Sequence, residues 1–156
     1  MSPTRLSTVV LDASDAHMLA GFYRRLLGYV VRAEEPDWVL IGPPGGGTGL
    51  SFQTEPGYVP PAWPTRTPGD QQMMLHLDIE VDDLEGETAR AVAEGAELAA
   101  YQPQDDVRVL FDPAGHPFCL GPGRLSRRGP ACPPPASPAR TPAPPRSGRP
   151  RSRPSR

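Results

Sequence analysis

The same order of elements appears twice in this chain. Residues 6–13 (LSTVVLDA) form an apolar, β-branched run that reads as a strand. Ser14 and Asp15 then supply a helix cap, and Leu19, Phe22, Tyr23 and Leu26 recur at helical spacing on one face before Gly28 ends the helix. Three short apolar runs follow, at 29–33, 38–42 and 49–53, punctuated by Pro36-Asp37 and by PPGGG at 43–47, which reads as a hairpin turn. From Met73 the pattern returns: an alternating strand at 74–81 (MLHLDIEV), a cap at Asp82-Asp83, and a helix over 84–94 stopped by Gly95. Strands at 97–101, 107–112 and 117–120 complete the second copy, with the tight turn Asp112-Pro113-Ala114-Gly115 before the last. A shift of 68 residues places Thr8 on His76, Leu11 on Ile79, Asp15 on Asp83 and Ser51 on Cys119.

A β-α-β-β-β unit of about 45–50 residues is too small to close its own core comfortably, so the two copies are expected to pack side by side. The expected fold class is α+β, with two tandem βαβββ modules at about 6–53 and 73–121 joined by a linker over 54–72. Together they make one domain over 1–123.

Charge divides the chain at the same place. Residues 1–123 carry seven arginines and all 18 acidic residues, whereas 124–156 carry nine arginines and no acid. Ten of those last 33 residues are proline, and Leu125 is their only large apolar residue. Such a segment is expected to be a disordered, basic Pro/Arg-rich tail, a solvated extension rather than an arm for nucleic acid, which the acidic body would repel. No apolar run approaches the roughly 18 residues of a membrane helix, and residues 1–6 lack the apolar stretch of a signal peptide. Two cysteines, Cys119 and Cys132, with no Cys-x-x-Cys spacing, are too few for a disulfide scaffold and suit a reducing cytoplasmic setting.

Strand alternation sorts the side chains. Leu75, Leu77, Ile79 and Val81 point one way, towards the helices, and His76, Asp78 and Glu80 the other. By the same rule Thr8, Val10 and Asp12 share the second face, with Ser51, Gln53 and Cys119 from the later strands. His76, Asp78, Glu80, Gln53 and Cys119, with Trp63 from the linker, are the candidate ligand-binding residues. Each has a plainer reading: Asp78 and Glu80 as an exposed strand face, Asp12 as a turn cap, Cys119 as a small buried filler. His116 reads as a turn residue, and Phe111 and Trp38 as core. His76 beside Asp78 or Glu80 is the one acid–base candidate, but residues two apart on a strand stand about 6.5–7 Å apart at the backbone. No catalytic residue is assigned. The chain has no phosphate loop, no Ser-His-Asp order and no His-Glu-x-x-His helix. The long linker, EPGYVPPAWPTRTPGDQQ at 55–72, has two open readings. It is either a lid, with Tyr58 and Trp63 stacking on a planar ligand and Arg66 meeting an anion, or a proline-stiffened crossover anchored by its aromatics.

The stretches VVLDASD and FYRRLLG in the first half, and HLDIEVDDLE and VLFDPAGHPFCL in the second, span about 6–121. They resemble the vicinal oxygen chelate superfamily, in particular its glyoxalase-like or bleomycin-resistance-type domain. The resemblance implies paired βαβββ modules whose sheets curl into an open, β-barrel-like, cleft-bearing arrangement. It also implies four metal positions, on the first and last strands of each module, which fall on Thr8, Ser51, His76 and Cys119. Metalloenzymes of the superfamily place His, Gln or Glu there, and only His76 conforms. Neutral hydroxyls are poor ligands for a divalent cation, so no standard metal site and no other cofactor are expected. The resemblance then implies a metal-independent protein, dimeric like many of its relatives, that binds a small molecule such as a metabolite or antibiotic. An acidic cleft would favour a cationic or hydrogen-bonding ligand. The competing expectation is a divalent-metal-dependent lyase, isomerase or dioxygenase, with His76 and a recruited Asp12, Asp78 or Glu80 holding the ion.

Overall fold

The computed structural model describes residues 3–123; the expected tail and Cys132 lie outside the described residues. The elements are β1 (Thr8–Ala13), α1 (Ala16–Leu27), β2 (Val30–Glu35), β3 (Trp38–Gly42), β4 (Gly49–Thr54), β5 (Leu77–Glu80), α2 (Leu84–Ala93), β6 (Glu97–Leu98), β7 (Arg108–Phe111) and β8 (Pro117–Gly121). They form two four-stranded mixed sheets, ordered β1-β4-β3-β2 and β5-β8-β7-β6. The sheets remain open and do not close into a barrel. In each, the first strand runs parallel to the last and the other pairs are antiparallel. The duplication holds at the level of register: Val10 faces Ser51, and Asp78 faces Cys119, each residue of the second pair 68 beyond its counterpart.

Local chemistry explains the boundaries. Asp15 caps α1 by accepting from the Met18 N–H at 2.9 Å, and Gly28 takes the left-handed conformation (φ 67°) that closes its C-terminus. Asp83 caps α2 in the same way, through the Gly86 N–H at 3.0 Å. The PPGGG segment is the hairpin turn between β3 and β4, as its composition implied. Four strands are shorter than expected, β1 and β7 by two residues each. β5 begins only at Leu77, and β6 covers two residues rather than 97–101. For β6 the cause is visible: the Gln102 amide donates to the carbonyls of Ala99 and Val109 and accepts from the Val109 N–H. The Ala99 N–H still donates to the Val109 carbonyl at 3.0 Å, and beyond Ala99 a side chain takes the place of backbone pairing.

The main core lies between the helices and both sheets. Leu19, Phe22, Tyr23 and Leu26 of α1 are all buried, as their spacing required. Tyr23 stacks on Phe52 of β4 at 5.6 Å between ring centroids, while Phe22 and Tyr23 meet Phe118 of β8 edge-on at 6.0 and 6.1 Å. One helix therefore packs against the closing strands of both modules. A smaller core sits on the other face of the second sheet, where Trp63 packs with Ala99, Val107, Val109 and Cys119. That places the linker tryptophan as an anchor. Among the described residues, no helix is long and apolar enough to cross a membrane.

Candidate ligand site

The four positions implied by the family resemblance fall into two pairs, one on each sheet. On the first, the Thr8 and Ser51 hydroxyls lie 2.9 Å apart and hydrogen-bond each other, with Ser51 fully buried. On the second, His76 Nε2 lies 3.3 Å from Asp78 Oδ1, and ligand atoms of His76, Asp78 and Cys119 all fall within 4.8 Å of one another. The separation expected from backbone spacing is closed because the His76 and Asp78 side chains lean together. Cys119 is fully buried under Trp63 and its sulfur is held in a disulfide. A disulfide sulfur is not a thiolate, which is the metal-binding form of cysteine. Arg108, the one cation expected near it, donates instead to the carbonyls of Asp105 and Val107.

The remaining sequence candidates disperse. Gln53 is exposed on β4, opposite Asp12 and Trp38 in register. Glu80 is exposed and borders a hollow of about 370 Å³ at the ends of the two helices, together with Arg90. Trp63 is buried, and among the described residues its indole Nε1 has no hydrogen-bond partner.

A different cavity, of about 350 Å³, is bounded by β1, the linker and the turn before β8. Its polar wall is built on Asp112, a buried carboxylate that organises the turn. Asp112 Oδ1 accepts from the N–H groups of Ala114 and His116 at 2.9 and 3.0 Å. Its Oδ2 accepts from the Tyr23 hydroxyl at 3.0 Å and lies 2.9 Å from His116 Nδ1. The other ring nitrogen, His116 Nε2, is 3.2 Å from the Tyr58 hydroxyl, which donates to the Ala114 carbonyl at 2.9 Å. Gly115 makes the approach of the linker possible. It has φ 93°, and a Cβ there would stand 2.9 Å from Pro60 Cβ. Tyr58 and His116 face the cavity from this network, and Asp12 faces it from β1. Burial, and then the neighbouring carboxylates Asp112 and Asp12, push the Tyr58 hydroxyl up to about 12. Burial and Asp112 hold the Tyr23 hydroxyl well above its ordinary range. Both phenols are therefore protonated hydrogen-bond donors at neutral pH.

Sequence reasoning found the parts of this wall without the wall. Asp112 reads as a turn residue, His116 likewise, and Tyr58 as either a lid aromatic or an anchor of the crossover. The Tyr23–Asp112 bond joins residues 89 apart in the chain, so no local pattern announces it.

A sequence model described as a glyoxalase-like domain matches residues 8–121. No curated protein matches the chain. Among solved structures, it is similar to a glyoxalase/bleomycin resistance protein/dioxygenase family enzyme from Burkholderia phytofirmans PsJN, with 19% identity over 76% of this chain and 98% of that one, TM-score 0.57. It is also similar to TnmS3, an antibiotic-binding protein from Streptomyces sp. CB03234, with 21% identity over 78% and 98%, TM-score 0.52. The trypanothione-dependent glyoxalase I of Leishmania major is similar at 17% identity over 80% and 90%, TM-score 0.55. At these identities the structural likenesses establish the fold.

Proposed function

The chain belongs to the glyoxalase-like domain family, within the vicinal oxygen chelate superfamily, and on that premise we propose that it binds a small organic molecule without a standard metal centre. The carrying observation is the pair of hydroxyls at Thr8 and Ser51. They are neutral, engaged with each other, and occupy half of the positions at which relatives chelate. With Cys119 in a disulfide, one imidazole and one carboxylate remain, fewer than the three protein ligands of a catalytic zinc site. The cavity walled by Tyr58, His116 and Asp12 supports the binding half of the reading, because it combines apolar surface with a few convergent polar groups. An antibiotic-binding protein among the structural neighbours is consistent with it.

The competing reading, a divalent-metal-dependent lyase, isomerase or dioxygenase, has one observation in its favour: the clustered donors of His76, Asp78 and Cys119. Metal analysis of protein purified without chelator, oxidised and reduced, separates the two. The proposal expects substoichiometric zinc, nickel, iron and manganese, and a melting temperature that none of these ions raises. Stoichiometric metal that disappears in His76→Ala would overturn it.

A further inference from the structure

We infer that the cavity between β1 and the linker takes an organic cation with an apolar body, an inference that rests on the small-molecule reading above. Its apolar surface is the first observation. Val10, Val59, Met74 and Leu75 line this one hollow and are exposed by 46, 61, 85 and 50%. Single exposed apolar residues need no explanation, but four converging on one concavity mark a surface that something apolar covers.

The charges around that surface have one sign. Asp12 and Glu55 line the cavity, no lysine or arginine does, and among the described residues neither acid forms an ion pair. The His116 ring has a carboxylate beside it, with Nδ1 2.9 Å from Asp112 Oδ2. The raised Tyr58 hydroxyl reports the same field at a third point of the wall, since Asp112 and Asp12 both contribute to it after burial. A carboxylate or phosphate ligand would meet two unpaired acids and no counter-charge. A divalent metal would find two acids on a largely apolar wall, where calcium or magnesium requires six or more oxygens. An ammonium group on an aromatic or aliphatic body satisfies both sets of residues, with its charge at Asp12 and Glu55 and its body on the valines, Met74 and Leu75. At about 350 Å³ the cavity lies near the lower end of the range for small-molecule sites, which sets the ligand at metabolite size.

Three probes that differ in charge at one end test the assignment: 3-phenylpropylamine, 3-phenylpropanol and 3-phenylpropanoate, titrated into the full chain and followed by amide chemical-shift perturbation. The amine is expected to bind about fivefold tighter than the alcohol, the gain from one ion pair near 4 Å in a water-like medium. The carboxylate should be weakest, and the perturbations should centre on Val10, Val59 and Leu75. Asp12→Asn, and separately Glu55→Gln, should reduce the amine's advantage, as should raising salt to about 0.5 M. Equal or tighter binding of the alcohol or carboxylate at the same residues, or an amine preference that survives both substitutions, overturns the cation assignment and leaves the small-molecule reading standing. No localised response to any probe, or concentration-dependent self-association that masks Val59 and Met74 and resists the amine, removes the cavity as a ligand site and overturns both.

Discussion

The two modules share a topology and a register but not a core. In the first, α1 buries six residues, and its apolar face reaches the closing strands of both sheets. In the second, α2 buries only Ala91, β5 has four residues against six in β1, and β6 has two. The second module makes up the difference with borrowed parts. Arg90 donates to the Leu26 carbonyl at the end of α1, Tyr23 bonds to Asp112, and Trp63 of the linker fills the far face of its sheet. The two modules therefore share a frame, while the first helix supplies more of the buried core. The cavity lies along the seam, between β1, the linker and the turn before β8.

This asymmetry predicts unequal mutational costs. Phe22→Ala should destabilise the domain by about 3–5 kcal/mol, with both modules unfolding in one denaturant transition. Leu84→Ala, at the half-buried start of the second helix, should cost only about 1 kcal/mol. Equal costs, or two separate transitions, would break the comparison. Trp63→Ala should cost about 3 kcal/mol or more. Trp63→Phe should stay within about 1 kcal/mol, because it also removes a buried indole N–H whose lack of a partner is itself unfavourable by about 1–3 kcal/mol. A large loss in Trp63→Phe would show that the N–H has a partner.

The fold was largely legible because both modules keep their punctuation. Asp15, Gly28, Asp83 and PPGGG act locally, and each helix starts at the residue after its cap. Alternation placed Asp78 and Glu80 outside, as observed, but Leu75, expected towards the helices, is exposed and lines the cavity. The strand expected over 97–101 stops early because past Ala99 a glutamine side chain takes over from the ladder, which strand propensity does not register. The candidate site was legible only in pieces. His76, Asp78, Cys119 and Trp63 do gather on the second sheet, but Gln53 and Glu80 stand elsewhere. The cavity itself depends on the linker folding back over Gly115 and on a carboxylate 89 residues from its phenol, both products of tertiary packing.

A smaller effect is expected at high pH, at the seam between the modules. The Tyr58 hydroxyl is raised from 10.0 to about 12 in the folded protein, by burial first and then by Asp112 and Asp12. The folded state therefore holds its proton more tightly than the unfolded chain. That contribution to stability is complete below about pH 10 and is lost as the pH rises through about 12. Tyr58→Phe should flatten the fall in melting temperature across this window while leaving the neutral-pH slope unchanged. An identical alkaline profile in the variant would remove Tyr58 from the seam's electrostatics.

We propose that ligand binds in the cavity beside β1 and not around His76. Isothermal titration of 3-phenylpropylamine into Asp12→Asn and His76→Ala, side by side with the parent chain, tests it most directly. Several-fold weaker binding is expected in Asp12→Asn, with parent-like affinity in His76→Ala. Affinity lost in His76→Ala and retained in Asp12→Asn would contradict it.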